Sequence, residues 1–124
     1  MPEMKDAKVL IVDDSITVRE IMKRQLSDMG ILETEYAKTG TEALEMYRSF
    51  QPDLVFLDIN MPEMNGVEVL SQLMEIDPKA NVVMLSSLGT KEKISESLEK
   101  GAKNFLMKPV ADDNLKRIVT ELVS

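Results

Sequence analysis

The chain has 124 residues, 44% of them hydrophobic, which is one domain's worth and enough to bury a core without cross-links. It has no cysteine and no histidine, which excludes disulfides, thiolate or imidazole metal sites, serine–histidine catalysis and a phosphohistidine of its own. A net charge of −7 argues against nucleic acid as a partner.

The charge is uneven. Residues 1–88 hold 8 basic and 16 acidic side chains, a balance of −8, and residues 89–124 hold 7 and 6, a balance of +1. The last third is thus the better place for an acidic partner. No apolar run reaches membrane-spanning length. The start, Met1-Pro2-Glu3-Met4-Lys5-Asp6, lacks the basic and apolar regions of a signal peptide. A cytoplasmic protein without a membrane or nucleic-acid partner is expected.

Lys8-Val9-Leu10-Ile11-Val12 reads as a buried strand. Ser15 caps a helical pattern carrying Ile16, Arg19, Ile21, Met22, Leu26 and Met29, stopped by Gly30. Leu32, Thr34 and Tyr36 alternate with Glu33 and Glu35, as in a half-exposed edge strand. Thr39 and Glu42 have the spacing of a capping box. The helix they open carries Ala43, Leu44 and Tyr47 and must end before Pro52. Asp53 to Asp58 form a second buried strand, Asn65-Gly66 a turn, and Val67, Leu70, Leu73 and Met74 another helical stripe.

Asn81 to Leu85 read as a further buried strand. Thr90 caps a helix with Ile94 and Leu98, ended by Gly101. Asn104 to Met107 are the last strand, and Asp112 or Asp113 caps a final helix with Leu115, Ile118, Val119 and Leu122. Near-continuous apolar strands alternating with helices predict an α/β fold, a five-stranded parallel sheet covered on both faces and doubly wound by right-handed crossovers. The chain stops where the fifth helix stops, so one domain over residues 1–124 with no output domain is expected.

Open parallel sheets bind ligands beyond the carboxyl ends of their strands. At those ends stand Asp13 and Asp14, then Asp58, then Ser86 and Ser87, then Lys108-Pro109. Carboxylates brought together repel unless a cation sits among them. Oxygen ligands alone select a hard ion, Mg²⁺ above all. With Lys108 as a second positive charge, such a site is a clamp for a phosphoryl group, with Asp58 as nucleophile. Each part has a plainer reading when taken alone: Asp13-Asp14 as a capping pair, Asp58 as a turn starter, Lys108 as a solvated lysine. Their joint occurrence at the ends of different strands favours the site. Met22, Met46, Met74, Met84 and Met107 read as core filler, and the Lys and Glu residues from 91 to 100 as a solvated helix face. Ile16 and Val110 fit equally a plain surface and contacts for a docking helix beside the site.

Asp13-Asp14-Ser15, the run Asp58-Ile59-Asn60-Met61-Pro62-Glu63-Met64-Asn65-Gly66, Ser86 and Lys108-Pro109 together resemble the response-regulator receiver signature, of the CheY-like single-domain type. The resemblance covers essentially the whole chain. It implies the flavodoxin-like strand order 2-1-3-4-5, which makes the site-bearing strands neighbours. It also implies phosphorylation of Asp58, direct Mg²⁺ ligation by Asp14, water-mediated ligation by Asp13, and the Asn60 backbone carbonyl as a further ligand. Ser86 and Lys108 are implied contacts of the phosphoryl oxygens, and Ser86 and Phe105 the switch pair. Ser86 stands where threonine is commoner, and Phe105 where chemotaxis regulators carry tyrosine. Leu88 falls near the attacking water and bears on the rate of dephosphorylation.

The implied protein is a monomeric switch, not a conventional enzyme. It assists its own phosphorylation by a sensor histidine kinase and its own slow dephosphorylation. Its downstream protein target docks on the face of the fourth helix, fifth strand and fifth helix. A phosphorelay shuttle is the alternative. Rival functions fit less well. A haloacid-dehalogenase-like phosphatase needs Asp-x-Asp after the first strand, a flavin carrier needs a phosphate loop where the acidic pair stands, and an inert scaffold would lack the acidic pair or the lysine.

Overall fold

The computed structural model describes residues 6–61, 64–87 and 91–123. Five strands alternate with five helices: β1 (Lys8–Val12), α1 (Ile16–Asp28), β2 (Glu33–Ala37), α2 (Gly40–Phe50), β3 (Leu54–Asp58), α3 (Gly66–Ile76), β4 (Val82–Ser86), α4 (Lys91–Glu99), β5 (Asn104–Met107) and α5 (Asp112–Val123). All pairings are parallel and the order is β2-β1-β3-β4-β5. The doubly wound α/β fold and the strand order agree with the sequence reading.

Strand side chains alternate between the two faces of the sheet, and two cores follow. Val9, Ile11, Leu54, Phe56, Val83, Leu85 and Leu106 pack beneath Met22 and Leu26 of α1 and Leu115, Ile118 and Val119 of α5. Leu10, Val12, Val55, Leu57, Val82 and Met84 face Ala43 and Tyr47 of α2 and Val69, Leu70 and Leu73 of α3, with Ile94 of α4 at the margin. β3 and β4 are buried at every residue: four apolar residues in each require it, and the polar residue that ends each, Asp58 and Ser86, is buried with them.

Helix starts follow side-chain chemistry. Ser15 Oγ accepts the Val18 N–H at 3.3 Å. Thr39 Oγ1 accepts the Glu42 N–H at 3.2 Å, but the Glu42 carboxylate takes the Lys38 N–H, so the expected capping box closes one residue early. Asn65-Gly66 is no free turn: Asn65 caps α3, accepting the Glu68 N–H at 3.0 Å, and Gly66 is its first residue. Asp112 and Asp113 lie inside the first turn of α5 rather than before it, where they face the positive end of the helix dipole. α2 ends at Gln51, in the left-handed region, directly before Pro52.

Other expectations need correction. β2 is the sheet edge, as expected, but the alternating residues do not form a buried face: Leu32, just before the strand, is 72% and Tyr36 50% exposed, and Ala37 is the buried residue of the strand. Ile16 and Ile21 point to solvent, so the buried stripe of α1 is Arg19, Met22 and Leu26. Met22 and Met84 are core residues and Met46 and Met74 pack against the core, but Met107 is exposed. The solvated face of α4 is as expected, except that Ser97 is buried and donates to the Lys93 carbonyl. Thr90 as a helix cap lies outside the described residues. Among the described residues no helix is long and apolar enough to cross a membrane.

Candidate functional site at the carboxyl edge of the sheet

Four strand ends deliver the site. β1 runs buried through Val12 into Asp13, whose N–H is bonded to the Ala37 carbonyl of β2 at 3.1 Å. Asp13 is fully buried and Asp14, one residue on, is exposed. The Ser15 N–H donates to Asp13 Oδ1 at 2.9 Å, which turns the chain into α1. Asp58 is the last residue of β3 and only 4% exposed. Its Oδ1 accepts the Asn60 N–H at 3.1 Å. The loop beyond it is clamped by the Gly66 N–H, which donates to the Ile59 carbonyl at 2.8 Å. A side chain at Gly66 would collide with the Asp58 carbonyl and the Ile59 backbone, so only glycine lets α3 start this close to the strand end.

Lys108 follows β5. Its N–H donates to the Ser86 carbonyl of β4 at 2.7 Å. Its ammonium lies 2.7 Å from Asp13 Oδ2 and 3.2 Å from Asp58 Oδ1. The approach to Asp13 Oδ2 is an ion pair at charge-assisted hydrogen-bond distance, and Lys108 is the group that meets this buried oxygen. Asp13, Asp14 and Asp58 each offer a carboxylate oxygen within 4.8 Å of the others.

The electrostatics follow from burial and crowding. Desolvation pushes the Asp58 carboxyl above the ordinary aspartate range, and the Asp13 charge adds to this; Lys108 and the Asn60 N–H pull it part of the way back. Burial works against the Lys108 charge, but contact with Asp13 and the charges of Asp58 and Asp13 outweigh it, and its pKa is raised. The lysine is therefore cationic at neutral pH and neutralises one of the negative charges. The all-oxygen donor set of three convergent carboxylates, only partly neutralised by Lys108, fits a hard divalent cation.

The remaining expected residues lie close by. Ser86 is fully buried and its hydroxyl donates to the Ser87 carbonyl at 3.0 Å. Asn60 is exposed, and its side-chain oxygen accepts from Lys93 of α4 at 3.4 Å. Phe105, half-buried on β5, packs against the core on the α2–α3–α4 side. Pro62, Glu63 and Leu88 lie outside the described residues. Sequence reading missed the depth of Arg19, which is 7% exposed and donates to the Asp13 carbonyl at 2.8 Å. Its spacing of three and seven residues from Met22 and Leu26 was the available signal.

A family model, the response regulator receiver domain, matches residues 9–120. The chain belongs to that family. Among proteins similar to this receiver domain is the chemotaxis protein CheY of Listeria monocytogenes, 41% identical over 108 residues, 87% of this chain and 91% of the relative. The crystal structure of the receiver domain of NtrX from Brucella abortus has a TM-score of 0.88 at 31% identity, covering 94% of this chain and 98% of that one. CheY in the CheX–CheY–BeF3–Mg complex from Borrelia burgdorferi has a TM-score of 0.84 at 37% identity, covering 96% and 91%. This receiver domain is thus CheY-like in sequence and in fold.

Proposed function

We propose that this receiver domain is a chemotaxis-type switch that accepts a phosphoryl group on Asp58 from the phosphohistidine of a sensor histidine kinase. One observation carries the reading: Asp58 is nearly buried at a strand end, yet held 3.2 Å from the Lys108 ammonium and within reach of Asp13 and Asp14. An Asp58 carboxylate oxygen attacks phosphorus as the bond from phosphorus to the imidazole nitrogen breaks, and that nitrogen keeps the electron pair and takes a proton from solvent. Lys108 remains protonated and pairs with a phosphoryl oxygen. Asp13, Asp14, Asp58 and the Asn60 backbone carbonyl would hold Mg²⁺, which supplies the positive charge that lets carboxylate and phosphoryl oxygens approach.

Phosphorylation presents Ser86 with a charged acceptor stronger than the Ser87 carbonyl it now uses. The hydroxyl moves toward the site, Phe105 turns inward, and the face of α4, β5 and α5 changes shape. Leu98 of α4 and Met107 of β5 are exposed there, beside the less acidic third of the chain, and offer apolar contact to the downstream protein. Likeness to CheY proteins, one of them solved with CheX, beryllofluoride and magnesium, supports a chemotaxis-type partner. On the kinase side, Val18, Ile21, Met22, Pro109 and Val110 line a small cleft next to Lys108, of about 80 Å³, with Ile16 exposed nearby. An apolar kinase helix laid there brings its phosphohistidine over Asp58. The domain acts as a cytoplasmic monomer, without nucleic-acid contact and without turnover of another substrate. Incubation with acetyl phosphate and Mg²⁺, read by intact mass, is expected to add one phosphoryl group to the wild type and none to Asp58→Asn. Wild-type labelling of that variant would sink the assignment.

A further inference from the structure

Arg19 is a buried cation with no counter-ion: no carboxylate among the described residues lies within ion-pair distance of it. A guanidinium taken out of water in this way is costly unless other contacts hold it. Two do. Nη1 donates to the Asp13 carbonyl at 2.8 Å in a buried hydrogen bond. The guanidinium also lies over the Tyr36 ring, 4.5 Å from its centroid, a cation–π distance.

Tyr36 stands on β2, one residue before Ala37, whose carbonyl accepts the Asp13 N–H. The main chain of Asp13 and one carboxylate oxygen are therefore tied on the β2 and α1 side, away from Lys108. The Asp13 N–H is held by β2, its carbonyl by an arginine clamped to β2, and its Oδ1 by the Ser15 N–H. Oδ2 is not held by the main chain: it is buried, meets the Lys108 ammonium at 2.7 Å and lies in the cluster with Asp14 and Asp58. We propose that Arg19, clamped by the Tyr36 ring, is a positioning residue for the cation site: it locks the Asp13 main chain so that Oδ2 is presented to the ion.

The inference rests on the proposed function, since it presumes Mg²⁺ among these carboxylates. It is separable from a merely electrostatic role by sign. A guanidinium behind a cation site repels the incoming ion, so if charge alone mattered its removal would tighten binding. Positioning predicts the reverse. The experiment is a Mg²⁺ titration of the purified protein followed by amide NMR shifts, with thermal melts to verify folding. Arg19→Ala is expected to raise the Mg²⁺ Kd about tenfold or more, as loss of an outer-sphere partner typically does. Tyr36→Leu keeps the guanidinium but removes its clamp, and is expected to raise the Kd roughly threefold. Tyr36→Phe keeps the ring and is expected to leave the Kd at the wild-type value. An unchanged or lower Kd in folded Arg19→Ala would overturn the inference. Should that variant fail to fold, equal Kd values for Tyr36→Leu and Tyr36→Phe would overturn it. Absence of Mg²⁺ binding by the wild type would remove the proposed site itself, and this inference with it.

Discussion

Asp58 carries a cost that the sheet imposes. Its carboxyl titrates above its ordinary value of 3.8 because burial, then the Asp13 charge, disfavour the anion more than Lys108 favours it. A folded-state pKa above the unfolded one means the proton binds the fold more tightly. That contribution to stability is fully present below the unfolded value and is lost as pH rises through the folded value. At neutral pH without metal the ionised Asp58 therefore works against folding. Asp58→Asn, which keeps an acceptor for the Asn60 N–H, is expected to raise the melting temperature at pH 7 in chelator by roughly 2–8 °C. The gap should shrink as pH falls toward the ordinary value, because the wild-type carboxyl then becomes neutral too. Paired melts at pH 7 and pH 4 check this; a variant less stable than wild type at pH 7 would contradict it.

At the scale of elements, the contact between the start of α3 and the end of β3 is decisive. Gly66 is the first residue of α3, where glycine costs at most the roughly 1 kcal/mol that it costs relative to alanine in a helix interior. Propensity alone would make Gly66→Ala stabilising. The added methyl group, however, meets the Asp58 carbonyl and the Ile59 backbone, which cannot rotate away as a side-chain tip could. Overpacking of this kind costs about 1–3 kcal/mol, so the clash outweighs the propensity gain. Gly66→Ala is expected to lower the urea midpoint and, by shifting the end of β3 that carries Asp58, to slow labelling by acetyl phosphate. A raised midpoint would mean that α3 can slide away from β3.

The whole molecule behaves as a switch only if two arrangements of the α4–β5–α5 face lie close in energy. Moving from 1:99 to 99:1 takes about 5.5 kcal/mol of differential stabilisation. One charge-assisted hydrogen bond from Ser86 supplies about 1.5–3 kcal/mol. The Lys108 contact and repacking around Phe105 must add the rest. Phe105 has no hydroxyl to anchor it outward, so the resting state is expected to sample the inward rotamer already. Beryllofluoride with Mg²⁺ should spread amide shifts from Asp58 through Ser86 to Phe105 and α4, and Ser86→Ala should confine them near Asp58. Wild-type shifts limited to the loops around Asp58 would refute the relay.

The sequence by itself determined the fold class, the element order and the side chains assembled at the site. Unbroken apolar runs such as Leu54 to Leu57 can be satisfied only by burial on both faces of a sheet, and alternation with helices makes that sheet parallel. The motif run around Asp58 made the family legible, although strand order came from resemblance and not from periodicity. What only the tertiary structure decided is which member of a local pattern faces which neighbour. Asp13 and Asp14 are alike in sequence, yet one is buried against Lys108 and the other exposed, because the chain leaves the sheet after Asp13 and turns into α1, with the Ser15 N–H bonded back to Asp13 Oδ1. The segment from Leu32 to Tyr36 reads as a half-exposed edge strand and is one, but which of its residues is buried, Ala37 and not Leu32 or Tyr36, is set by packing. Arg19, a charge in a helical stripe, is buried because Tyr36 and the Asp13 carbonyl, distant or unremarkable in the chain, converge on it in space. Local pattern sets which face of an element is apolar; only the packing of other elements sets which face is covered.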